Sequence, residues 1–98
     1  MFGTIYRMRP RPGQEQAVVD YHRRWEHERR PKVDGAVAAY VFKPRKQTGD
    51  LLGVVVFDSE EHYDRNANDP EQDRWYRQLR ALLESDPEWT DGDVLVAL

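Results

Sequence analysis

The chain has 98 residues, no cysteine, 34% charged residues and a net charge of −3. That length supports one domain, which buries about 60–65% of the surface its unfolded chain exposes, so pairing with another copy is a natural way to add buried area. The missing cysteines exclude disulfides and thiolate metal sites; with no basic-then-apolar leader at the N-terminus and no apolar run long enough to span a bilayer, a cytoplasmic, membrane-free protein is expected.

Phe2 to Arg9 alternates aromatic or apolar with polar residues and reads as a strand. Pro10-Arg11-Pro12-Gly13 stops it, because neither proline can donate to a ladder and glycine permits a turn. Gln14 to about Arg30 reads as a helix with Ala17, Val18, Tyr21 and Trp25 on one face. Pro31 ends it, since proline disfavours a helical conformation in the residue before it, and Val33-Asp34-Gly35 turns. Ala36 to Phe42 is a second strand, closed by Lys43-Pro44. Thr48-Gly49-Asp50 links it as a hairpin to a third strand, Leu51 to Phe57.

Asp58 or Ser59 caps a short helix, with Asp58 and Glu61 at capping-box spacing and Tyr63 and Ala67 facing inward. Asp69-Pro70 breaks that helix and starts the next, because proline suits a first helical turn. Trp75, Leu79 and Leu82, with Tyr76 and Leu83 beside them, form its apolar stripe. Asp86-Pro87 ends it, Trp89 falls in a loop, Asp91-Gly92 turns, and Asp93 to Leu98 is the last strand.

This order predicts an α+β, ferredoxin-like βαββαβ domain: a four-stranded antiparallel sheet with helices on one face. A sheet with one wet face should alternate apolar and polar residues. Ala36 to Phe42, Leu51 to Phe57 and Val94 to Leu98 are instead apolar on both parities. The helices cover only one face, so the other is expected to pack on a second copy, giving a homodimer through the sheet face.

Residues 1–46 carry 11 basic and 5 acidic residues, a net +6, whereas residues 47–98 carry 4 and 13, a net −9. Either Arg23, Arg24, Arg29, Arg30 and Lys32 form an anion-binding patch, or the halves pair with one another.

Candidate site residues follow from type and placement. His22 is the best general-base candidate, because its ordinary pKa of about 6.5 suits proton transfer near neutrality; its bland reading is an exposed helix flank. Tyr63 could hydrogen-bond a phenolic substrate and help remove its proton, or simply pack on the sheet. Asn66, one turn later, could hold a substrate oxygen or serve as a capping amide. Tyr6 could point into the same pocket or into the core. Tyr21, Trp25, Trp75 and Trp89 could line an aromatic pocket for a flat ligand, with Phe57 and Tyr76 as further contacts; core packing is the alternative for each. His22 and His27 are five residues apart, so they do not share a helical face, and no metal site is read.

The stretch from Val54 through Asp58-Ser59-Glu60-Glu61-His62-Tyr63, then Asn68-Asp69-Pro70, then Trp75 to Leu83, resembles the antibiotic biosynthesis monooxygenase-like family of dimeric α+β barrels. Met8 to Gln14, a strand running into Pro-Gly and then a helix, fits the family's opening. The resemblance implies a ligand pocket between helices and sheet in each subunit and a dimer on the other sheet face. Some members oxidise quinols or anthrones with O₂ and no cofactor, some degrade haem, others act on small signalling molecules, and many have no known activity. Cofactor-free members place a tyrosine six residues after the aromatic that ends the third strand, a position Tyr63 fills after Phe57. That strand-end aromatic is a tryptophan in those members, and an asparagine stands where this chain has Gly53. Haem-degrading members carry an asparagine, a tryptophan and a histidine at the positions aligned with Tyr6, Asn66 and Tyr76, so no haem ligand is implied here.

Three functions compete: a cofactor-independent oxygenase acting on an aromatic, quinol-type molecule; a non-catalytic small-ligand or stress-associated dimer; and a nucleic-acid binder, since RNA-recognition domains share the βαββαβ order. The third is disfavoured, because Leu51 to Phe57 lacks basic and stacking residues and the second half is acidic.

Overall fold

A computed structural model describes residues 1–98. Its elements are β1 (Phe2–Met8), α1 (Glu15–Arg24), β2 (Ala36–Phe42), β3 (Leu51–Phe57), α2 (Glu60–Ala67), α3 (Pro70–Arg80) and β4 (Glu88–Asp93). The strands pair antiparallel in the order β2-β3-β1-β4, the ferredoxin-like arrangement that the element order predicts.

The period-two alternation of β1 decides what lies on each side of the sheet. Thr4, Tyr6 and Met8 are buried, while Ile5 and Arg7 are exposed. Register carries this division across the strands: Val41, Gly53, Tyr6 and Trp89 form one row on the helix side, and Ala39, Val55, Thr4 and Asp91 form the next. Val18 and Tyr21 from α1 and Leu79 and Leu83 from α3 and its exit pack on Tyr6, Met8 and Leu51 as the core. Trp75 and Leu82 pack against that cluster.

On the far side, Tyr40, Val54, Ile5 and Thr90 share a row next to Phe42, Leu52, Arg7 and Glu88. Ile5, Tyr40 and Phe42 are 53%, 63% and 50% exposed. This face is therefore rich in uncovered apolar side chains, as the doubly apolar strands β2 and β3 predict.

Three boundaries differ from the sequence reading. First, the last strand is Glu88–Asp93, not Asp93 to Leu98, and Trp89 stands within it. Register sets this: antiparallel pairing puts Asp93 opposite Phe2, the first residue of β1, and the Val94 amide bonds the Met1 carbonyl. Leu95, Val96 and Leu98 are consequently exposed. Second, α1 stops at Arg24 and continues as a π-helical turn, Trp25–Arg29, and a 3₁₀ turn, Arg30–Lys32. Third, α3 ends at Arg80, because the backbone of Leu82 and Glu84 turns to bond Arg9 and Arg11. The cap of α2 is Ser59, one of the two expected candidates: its hydroxyl accepts from the His62 amide, and the Asp58–Glu61 spacing is not what caps the helix.

Of the two readings of the charge split, pairing between halves is what the structure holds at Arg7–Glu88, Arg9–Asp50 and Arg29–Asp69. Arg29 is buried and also donates to the side-chain oxygens of Asn66 and Gln72. The Trp25 indole N–H donates to the same Gln72 oxygen. The π turn thus brings Trp25 and Arg29 to bear together on the start of α3.

Candidate functional site

The helices do not close on the sheet everywhere. A cavity of about 760 Å³ lies between them, floored by Thr4, Tyr6, Ala39, Val41, Val55 and Phe57. Tyr21, His22 and Trp25 wall it from α1 and the π turn, Tyr63 and Asn66 from α2, Tyr76 and Leu79 from α3, and Trp89 from β4. Small residues of β2 and β3 leave room where larger ones would fill the core.

Gly53 sets the floor. A Cβ there would stand 2.1 Å from Tyr6 Cζ, so the Tyr6 ring lies directly over the glycine, across strands in register. Trp89 packs against the other side of Tyr6, with ring centroids 4.8 Å apart. Held in this way, the Tyr6 hydroxyl reaches His22 Nε2 at 2.9 Å, while His22 Nδ1 meets the Val18 carbonyl at 2.7 Å. A carbonyl only accepts, so Nδ1 carries the proton, Nε2 is the acceptor, and Tyr6 donates. Burial holds His22 below its ordinary pKa and raises Tyr6 well above its own; the Val18 carbonyl works against the shift in His22. At neutral pH the pair is a neutral imidazole and a neutral phenol.

Tyr63 stands at the other end of the floor, its ring edge-on to Phe2 and Phe57. Its hydroxyl donates to Asp91 Oδ1 at 2.9 Å. Burial first, and then the Asp91 carboxylate, push its pKa up to about 12, so it too is a neutral donor. The Asn66 carbonyl oxygen accepts from Arg29 at 3.0 Å. Because arginine only donates, this fixes the amide orientation and leaves the Asn66 NH₂ group as the one available to the cavity. Thr4 Oγ1, fully buried on the floor, makes no hydrogen bond; it neighbours the Tyr63 hydroxyl without bonding geometry.

Of the residues singled out from sequence, Tyr6, Tyr21, His22, Trp25, Phe57, Tyr63, Asn66, Tyr76 and Trp89 meet in this cavity. Trp75 does not: it turns toward the core, its ring 6.0 Å from that of Tyr21, and its outer edge borders a shallow crevice with Glu28 and Arg29. Thr4, Asp91 and Gln72 were not anticipated. Thr4 was within reach of the strand pattern, since it lies two residues before Tyr6 on the same face. Asp91 was hidden by the shifted last strand.

No family model and no curated protein matches the sequence. Solved structures do match over nearly the full chain. One described as an antibiotic biosynthesis monooxygenase shares 16% identity at a TM-score of 0.76, covering 98% of this chain and 100% of that one. A variant of SnoaB, a cofactor-independent oxygenase from Streptomyces nogalater, shares 15% at 0.76, covering 99% and 95%. A protein of unknown function from Nitrosomonas europaea shares 20% at 0.79, covering 99% and 91%. The chain therefore has, along its length, the α+β fold of antibiotic biosynthesis monooxygenase structures.

Proposed function

We propose that this protein is a cofactor-independent monooxygenase acting on an aromatic, quinol-type small molecule. The observation that carries the reading is an aromatic cavity with a neutral, half-buried His22 bonded to Tyr6 in its wall. The likeness in fold to a cofactor-independent oxygenase supports it.

An anthrone or activated quinol becomes an electron-rich anion once it loses a proton. The anion passes an electron to O₂, and recombination forms a C–O bond and a hydroperoxide. Loss of water leaves a carbonyl. A CH₂ group becomes C=O, the second oxygen atom leaves as water, and all four electrons that O₂ takes come from the substrate. The chain needs to supply only a proton acceptor, fixed hydrogen-bond groups and walls that exclude water. His22 is where that proton finally resides; Thr4, Tyr63 and the Asn66 amide are the groups that hold the substrate oxygens. Stacking against Tyr21, Trp25, Phe57 and Tyr76 orients the rings.

The test is oxygen uptake with an anthrone. One O₂ consumed per anthrone, at a rate above buffer that falls at least tenfold in His22→Gln, is expected; uptake no faster than buffer sinks the reading. The alternative is a non-catalytic ligand-binding protein, which Gly53 favours because it puts no polar side chain on the floor. That reading is distinguished by ligand-induced thermal stabilisation without turnover.

We further propose that two copies pair through the sheet face that carries Ile5, Tyr40 and Phe42, whose exposure is what supports the pairing.

A further inference from the structure

Both ring nitrogens of His22 are engaged, Nδ1 with the Val18 carbonyl and Nε2 with the Tyr6 hydroxyl. A ligand in the cavity finds no free lone pair on the imidazole. What it meets is the Tyr6 oxygen, which has given its proton toward Nε2 and keeps lone pairs to accept another.

We propose that Tyr6 is the group that takes the substrate's proton, handing its own to His22 in the same event, and that the substrate is an acidic phenol or enol. The proposal rests on the cavity being the site of the quinol-type molecule. The substrate O–H bond breaks and a new Tyr6 O–H bond forms; the old Tyr6 O–H bond breaks and an Nε2–H bond forms. Tyr6 ends neutral, as it began. The products are a substrate anion and an imidazolium whose Nδ1–H remains on the Val18 carbonyl. No electron moves in this step.

Geometry and environment select the substrate class. A buried tyrosinate packed against Trp89 would be poorly solvated, so the two transfers are concerted and Tyr6 is a conduit, not a store. His22, desolvated among the same rings, takes a proton more readily the more acidic the donor. Phenols bearing electron-withdrawing carbonyl or nitro groups, and enols of 1,3-dicarbonyls, are such acidic donors.

A nitrophenol tests this without knowledge of the natural substrate, because its anion is coloured. At a fixed pH where the free dye is mostly neutral, the ratio of anion to neutral dye in the bound state is compared with that in solution. Wild type is expected to raise the ratio roughly tenfold or more, the effect of a facing cation. In Tyr6→Phe the ring still covers Gly53, the dye still binds, and the ratio falls back to that of the free dye. His22→Gln gives the same result. A purely structural role for either residue would change affinity and leave the ratio raised. A ratio that stays raised in Tyr6→Phe overturns the relay and leaves the cavity reading standing. A dye that does not bind wild type overturns both.

Discussion

The ring of Tyr6 occupies the space that a side chain at position 53 would need, so that the two residues act as one unit spanning β1 and β3. Gly53→Ala is expected to push Tyr6 off the floor, break its bond to His22, and cost about 1–3 kcal/mol as overpacking does. Urea denaturation checks the loss. In a Tyr6→Ala background the same change should cost little, because the clash is gone; an undiminished cost would show that the glycine serves something other than the ring.

Thr4→Val exchanges the unpartnered buried hydroxyl for a methyl of the same shape. A buried donor without a partner costs about 1–3 kcal/mol, so the free protein should be unchanged or up to about 1 kcal/mol more stable. Binding of a quinol-type ligand should weaken at the same time, by roughly tenfold if one hydrogen bond is lost. Thermal melts with and without ligand separate the two effects, and a destabilised free variant would contradict the assignment.

The pH dependence of stability has a signature from His22. Its folded pKa lies below the ordinary 6.5, first because of burial. As pH falls below about 6.5 the unfolded chain binds a proton that the folded one does not, so stability drops until the folded pKa is passed. Asp58, lowered mainly by its bond to His62, and Asp69, lowered mainly by the Glu71 amide, add their losses only nearer the carboxylate range. Melting temperature should therefore decline between pH 7 and 5 in wild type. His22→Gln should flatten that interval and keep the acid limb below it; equal slopes in both proteins would count against a depressed His22.

Tyr40→Glu places a charge on the uncovered sheet face at the edge strand β2, opposite Val54 and two strands from Ile5. Wild type is expected to sediment as a dimer at micromolar concentration and the variant as a monomer with an unchanged helical signal. A monomeric wild type would remove the basis for pairing.

Much of the fold was legible because β2 and β3 have dense apolar runs closed by Lys43-Pro44 and Thr48-Gly49-Asp50, and their ends fall where the pattern puts them. The last strand was not legible: Val94 to Leu98 has the composition of a strand, whereas Glu88–Asp93 has that of a loop. Pairing partners decide the matter, and the partner, β1, runs out at Phe2. The π turn was hidden for a similar reason. Its spacing answers Gln72 and Asn66, which lie about 40 residues away. The site is legible as a set of residue types near one another, but a helical stripe does not distinguish core from cavity wall, and Trp75 takes the core alternative. The pairing of Tyr6 with His22, 16 residues apart, depended on the ring being laid over Gly53.

β4 is hydrogen-bonded along one edge only, every one of its side chains is exposed, and Glu88, Asp91 and Asp93 keep other strands from adding to its free edge. Such a strand detaches at lower free energy than the rest of the sheet. Trp89 rides on it and lines the cavity beside Tyr6, so fraying of this border would widen the cavity without unfolding the core. Amide hydrogens of β4 are then expected to exchange ahead of those in β1 and β3, a local opening that leaves the rest of the domain intact.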